Sequence, residues 1–135
     1  MTGKGKEIAA RARRLVGARF RPQGRDPELG LDCVGLVALA TDVPIEQVRR
    51  DYTLRGQRLA EIEHDLCNLG LQPVAHNQMG AGDVLLFDAG PAQLHLGILT
   101  EQGFVHADAG LKMVVERPLP LPWPLLGLWR MAGAS

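Results

Sequence analysis

The residues of this 135-residue chain best suited to nucleophilic chemistry are two cysteines, Cys33 and Cys67, and four histidines, His64, His76, His95 and His106. Cys33 stands near the start of DCVGLVALAT (residues 32–41), which begins with a residue suited to N-capping and then turns apolar on every side. That is the pattern of a short buried helix. A sulfur at a helix N-terminus meets free N–H groups and a positive partial charge, both of which favour thiolate over thiol. A cysteine that merely filled the core would do equally well in mid-helix. His95 breaks the apolar alternation of residues 94–100, and His106 breaks the next apolar run in the same way. One such histidine is explained by a single hydrogen bond in a core. Two that share a face of a hairpin turning near Gly103 are harder to explain as packing. Cysteine catalysis needs a base beside the sulfur and a third group to fix the imidazole. Cys33, His95 and His106 supply one of each.

The surrounding sequence must position these three. Residues 4–16 predict a helix with Ile8, Ala12, Leu15 and Val16 on one stripe and Gly17 as its stop. Residues 18–31 are rich in Gly, Pro, Arg and Asp and read as a loop. After the buried helix, Pro44 opens a further helical turn through Arg50. Residues 57–69 predict an amphipathic helix with Leu59, Ile62, Leu66 and Leu69 on one face, ended by Gly70. Cys67 lies near that face and reads as core; His64 and His76 read as surface. Beyond residue 70 the period shortens to that of strands: 84–87 after the Gly82-Asp83 turn, 94–100, 104–107 after a turn at 101–103, 111–116, and 125–131 after the stiff PLPLPWP connector, where Trp123 and Trp129 read as packing residues. Helices first and short antiparallel strands after them give an α+β expectation, with N-terminal helices packed on an antiparallel sheet of about five or six strands. Residues 1–135 read as a single domain.

Composition excludes several classes. The hydrophobic fraction is 46% and the charged fraction 22%, so the chain is not disordered throughout. Lys+Arg and Asp+Glu are 15 each, which argues against a protein built to hold nucleic acid. The basic run from Lys4 to Arg25 reads as a solvated helix face and a polar loop. The one serine, Ser135, is the last residue, so no serine nucleophile is embedded in the fold. No run approaches the roughly 20 apolar residues of a membrane span, and the first residues carry no apolar signal-peptide core. The expectation is a chain made inside the cell without a secretory signal. Zinc is the rival use for a Cys/His cluster, but no C-x₂₋₄-C or H-x₃₋₅-H spacing is present, and no cofactor is expected. GAGD at 80–83 is followed by strand pattern and does not fit a phosphate loop.

Four segments in order, LDCVGLV (31–37), GDVLLF (82–87), HLGI (95–98) and FVHAD (104–108), resemble the signature segments of the NlpC family of cell-wall cysteine peptidases. The resemblance spans most of the chain, from about Ile8 to Arg117. The loop RFRPQGRDPELGLDC is most similar to the branch found in phage tails and related particles. The resemblance implies a papain-like minimal core, with Cys33 as nucleophile, His95 as general base and His106 as the orienting residue. It implies hydrolysis of peptidoglycan stem peptides through an acyl-enzyme, at a γ-D-glutamyl–diamino acid bond, and incorporation into a phage or phage-like particle. Phage tail proteins would then be partners. One position departs from the family pattern: Phe20 stands where a tyrosine hydroxyl commonly assists the site. Arg21, Gln23 or main-chain N–H groups at Cys33 are the candidates to compensate. Asp32 reads as the helix cap with a secondary role in tuning Cys33, and Asp108 as a turn residue or an aid to His106. A non-catalytic structural or wall-binding tail component, and an acyltransferase on the same fold, are the alternatives.

Overall fold

The computed structural model describes residues 3–44, 47–48, 54, 57–91 and 93–132. The expected helical turn at 44–50 lies largely outside these residues. Helix α1 (Gly3–Arg14) buries Ile8 and Ala12 completely. It stops short of the expected end because the chain turns at 15–17, with Gly17 at φ 96°. Val16 is therefore exposed rather than part of the buried stripe. Arg11, Arg13 and Arg14 fill the last turn, where positive charge suits the helix dipole. Two of them also make internal ties: Arg11 Nε donates to Ala40 O at 2.8 Å, and Arg13 Nε to Glu116 Oε1 at 3.1 Å.

The segment read as a loop contains a two-stranded ribbon, β1 (Arg25–Asp26) and β2 (Gly30–Leu31). Two-residue strands leave no periodicity to read. The apolar run becomes α2 (Cys33–Thr41), buried along almost its whole length. Helix α3 (Leu59–Asn68) docks through Ile62 and Leu66. Cys67 is exposed, contrary to the core reading, because the 100° step from Leu66 turns it outward. His64 and His76 are exposed as expected.

One antiparallel sheet follows, in the order β3-β8-β4-β5-β6-β7: β3 (Leu71–Val74), β4 (Val84–Asp88), β5 (Leu94–Leu99), β6 (Gly103–Asp108), β7 (Met113–Pro118) and β8 (Leu125–Met131). The α+β expectation and its strand number hold. Strand β3 was not legible, since LQPV neither alternates nor lacks proline; as an edge strand it tolerates Pro73. Strand β7 begins later than expected because Lys112 takes φ 62° in a turn that leaves Leu111 exposed.

The sheet has two apolar faces. Leu86, Leu96, Ile98, Val105, Ala107, Val114 and Trp129 pack in one core with α1, α2 and α3. Leu85, Phe87, Leu99, Phe104 and Leu128 form a second core, closed by Leu121, Trp123 and Leu125 from the connector and the start of β8. Burial on both faces explains the continuous apolar run Val84–Phe87 of β4. No described helix is long and apolar enough to cross a membrane.

Candidate functional site

Asp32 caps α2 from an extended backbone, its Oδ1 accepting from the Gly35 N–H at 2.9 Å. This fixes Cys33 as the first residue of the helix. The Asp32 carboxylate is engaged on its other sides as well. Arg25 Nη1 donates to Oδ1 at 2.7 Å, and the Gln23 N–H donates to Oδ2 at 3.0 Å. The Arg25 and Asp32 side chains are 5% and 12% exposed, so this is a buried ion pair beside the cysteine. The loop reaches this position through close backbone packing. A Cβ on Gly35 would collide with the Gly24 carbonyl oxygen, which explains the glycine two residues after Cys33.

Cys33 is partly buried, and the main-chain N–H groups of Leu96 and of Cys33 itself lie close enough to the sulfur to favour its charged form. It therefore meets β5 one residue along from His95. Burial pushes the thiol up to about 12, and the Asp32 charge adds to the rise; the two backbone hydrogen bonds and Arg25 act in the opposite direction. The helix N-terminus favours a thiolate, and burial and the Asp32 charge oppose it. Desolvation of the charged sulfur acts against the helix end.

The two histidines come together as the strand pattern predicts. The register Ile98↔Val105 and Leu99↔Phe104 makes His95 and His106 diagonal neighbours on one face. Their contact is direct: His95 Nε2 lies 2.9 Å from His106 Nδ1. Burial pulls both imidazoles down to about 4, the neighbouring His106 adding to the fall at His95 and Arg117 to that at His106, while Asp108 opposes it at both. Both rings are neutral at pH 7. Among the described residues no hydrogen bond joins the Cys33 sulfur to either ring.

Asp108 is a turn residue whose carboxylate also comes near His106 without hydrogen-bonding to it. Its Oδ1 accepts from the Leu111 N–H at 3.0 Å, closing the turn, and its Oδ2 lies 4.0 Å from His106 Nε2. Phe20 is half-buried against the helix-side core and bridges to Leu31. Arg21 is exposed. Gln23, at φ 60°, contributes its N–H to Asp32. Among the described residues no cluster of three or more His, Cys, Asp or Glu could hold a metal ion.

Two residues were missed as parts of this site. Arg25 was one arginine of many in a loop, and nothing in its spacing marked it as the partner of Asp32. Trp123 was read as connector packing, but its ring sits edge-on to both imidazoles, 5.3 Å from His95 and 5.4 Å from His106 between centroids. Arg117 lies over the same indole at 5.6 Å.

The architecture has known counterparts. NlpC2 of Trichomonas vaginalis matches over 95% of this chain with a TM-score of 0.68 and 22% identity, and NlpC1 of the same organism over 95% with 0.68 and 21%. The P60 domain of antigen MAP1204 from M. avium subspecies paratuberculosis matches over 95% of this chain and 93% of its own, with a TM-score of 0.63 and 15% identity. This is the NlpC/P60 fold. The NlpC/p60 domain of the peptidoglycan hydrolase SagA agrees over 84% of this chain and 88% of its own, at a TM-score of 0.55 and 24% identity. The chain spans under half the length of the two T. vaginalis proteins, 46% and 44%. No family model and no curated protein sequence matches the chain.

Proposed function

We propose that this chain is a cysteine peptidase that hydrolyses peptidoglycan stem peptides, with Cys33 as nucleophile, His95 as general base and His106 as the residue that orients it. The observation that carries this reading is the His95–His106 hydrogen bond. It occupies His95 Nε2 and leaves Nδ1 as the nitrogen available to a thiol. With His95 protonated on Nε2, that N–H donates to His106 Nδ1. His106 then carries its proton on Nε2, on the side of the Asp108 carboxylate. Both rings being neutral, His95 Nδ1 carries a lone pair at pH 7.

In the reaction the Cys33 sulfur attacks the scissile carbonyl carbon as its proton passes to His95 Nδ1. The same nitrogen returns the proton to the departing amine, leaving a thioester. Water then attacks the thioester, giving up a proton to His95, and the carboxylic acid leaves as the sulfur is reprotonated. Proton transfer requires Sγ and Nδ1 to close to hydrogen-bond distance, a contact that commonly tightens only once substrate is bound. Without a hydroxyl at Phe20, the main-chain N–H groups of Cys33 and Val34 at the start of α2 are the donors for the developing oxyanion, the Gly35 N–H being taken by Asp32. The solved structure of a peptidoglycan hydrolase domain with this fold supports the substrate class. The γ-D-glutamyl–diamino acid bond and the phage-particle setting rest on the resemblance of the signature segments and of the loop before Cys33.

The test is a digest of purified diaminopimelate-type peptidoglycan read by mass spectrometry. Wild type and Cys33→Ala run side by side, with folding checked by circular dichroism. New stem-peptide fragments from wild type alone are expected, and they locate the bond. Equal cleavage by Cys33→Ala overturns the role of Cys33. A second reading, a wall-binding tail component with an idle triad, is favoured by Phe20 and by the thiol pushed up to about 12. It requires folded wild type to co-sediment with peptidoglycan and release no fragments. The acyltransferase alternative would yield a transferred acyl group in place of a free carboxylate.

A further inference from the structure

The ion pair behind the nucleophile is not explained by the triad. Arg25 is held by the β1–β2 ribbon, in register with Leu31, and its Nη1 donates both to Asp32 Oδ1 at 2.7 Å and to the Gly24 carbonyl at 3.0 Å. Gly24 is the residue whose carbonyl rests on Gly35, inside the first turn of α2. The Asp32 N–H in turn donates to Gly24 O at 3.4 Å. A single guanidinium thus ties the loop, the helix cap and the residue preceding the nucleophile. Without it, a nearly buried carboxylate would stand next to a sulfur that must become negative during the reaction.

We propose that Arg25 is a positioning residue acting on Cys33 through Asp32: locked against that carboxylate, its guanidinium offsets the negative charge beside the nucleophile. This rests on Cys33 being the nucleophile, and extends that reading to a residue outside the triad. The charged groups acting on the sulfur are Asp32 from the cap and Arg25 from β1; from β5 the nearest titratable residue in sequence is the neutral His95. Arg25 opposes the Asp32 charge at the sulfur, and an opposite charge within about 4–6 Å shifts a titration by about 1–3 units. Removing Arg25 should therefore make the thiolate at least about tenfold scarcer at a fixed pH.

The experiment measures the alkylation rate of Cys33 by iodoacetamide at pH 8. A Cys67→Ala background removes the exposed competing thiol. Arg25→Met is expected to react at least about tenfold more slowly, Arg25→Lys within about twofold of the parent, and Asp32→Asn about tenfold faster, since asparagine still caps the helix. The double variant Arg25→Met/Asp32→Asn should return towards the parent rate. A merely structural clamp predicts the opposite order, because a loosened loop exposes the sulfur and speeds alkylation in Arg25→Met. Parental or faster alkylation of folded Arg25→Met overturns the proposal. Should Arg25→Met fail to fold, the same effect is read in the Asp32→Asn background. There the double variant must be slower than Asp32→Asn alone, and equal rates overturn it. No substrate enters this assay, so a failed peptidoglycan digest and a failed Arg25 effect are separate results.

Discussion

Lowering the pH from 7 to 5 should destabilise the fold through the His95–His106 pair. Burial holds both imidazoles near 4 in the native state, against 6.5 for the ordinary side chain. Between those values the unfolded chain binds more protons than the folded one, so stability rises with pH. The contribution is complete above 6.5 and is lost as the pH falls towards 4. For one group moved from 6.5 to about 4, the loss between pH 7 and pH 5 is about 2 kcal/mol. The rings are hydrogen-bonded and titrate as a pair, which places the total between about 2 and 4 kcal/mol. That is a large share of a typical stability of about 5–15 kcal/mol. Urea denaturation at pH 7, 6 and 5 measures it directly. Wild type should lose at least about 2 kcal/mol over the range, and His106→Asn, with one titrating ring removed, roughly half of the wild-type loss. A wild-type stability flat between pH 7 and 5, or an undiminished slope in His106→Asn, would refute a buried neutral histidine pair.

Other perturbations separate the remaining contributions. Asp108→Asn keeps an acceptor for the Leu111 N–H and removes the charge that raises both histidines, so their NMR titration midpoints should fall further while the fold is retained. Gly35→Ala drives a methyl group into the Gly24 carbonyl and should lower the melting temperature and displace the loop carrying Arg25. Ile62→Ala, at 1% exposure the anchor of α3, should cost about 2–5 kcal/mol in urea denaturation. Trp123→Ala uncovers one side of the imidazole pair, and renewed hydration should raise the histidine midpoints towards 6.5.

Much of this molecule was legible before any coordinates. Local patterns were sufficient wherever a residue's role depends on its immediate neighbours. The Asp32 cap and the apolar run behind it defined α2 and placed Cys33 at its start. Alternation placed His95 and His106 on one face of a hairpin, because side-chain period and turn position fix the register. The stripes of α1 and α3 were read from Ile8, Ala12, Ile62 and Leu66. The ends of these elements were less secure: Val16 and Leu111 fell outside them because a turn, rather than the apolar pattern, sets the boundary.

What tertiary structure decided depends on groups distant in sequence. The state of Cys33 is one case. The helix end favours a thiolate, but how far the sulfur is desolvated depends on how β5 packs across it, and that acts in the opposite direction. The choice of Arg25 as the partner of Asp32 is another, since a two-residue ribbon selects it from a run of arginines that composition cannot rank. Trp123 joins the site only because the proline-rich connector folds back over the second face of the sheet. The sequence determined which residues could react and which elements carry them. Packing between those elements determined their charge states and their neighbours, because desolvation and electrostatic contact act through space and leave no period along the chain.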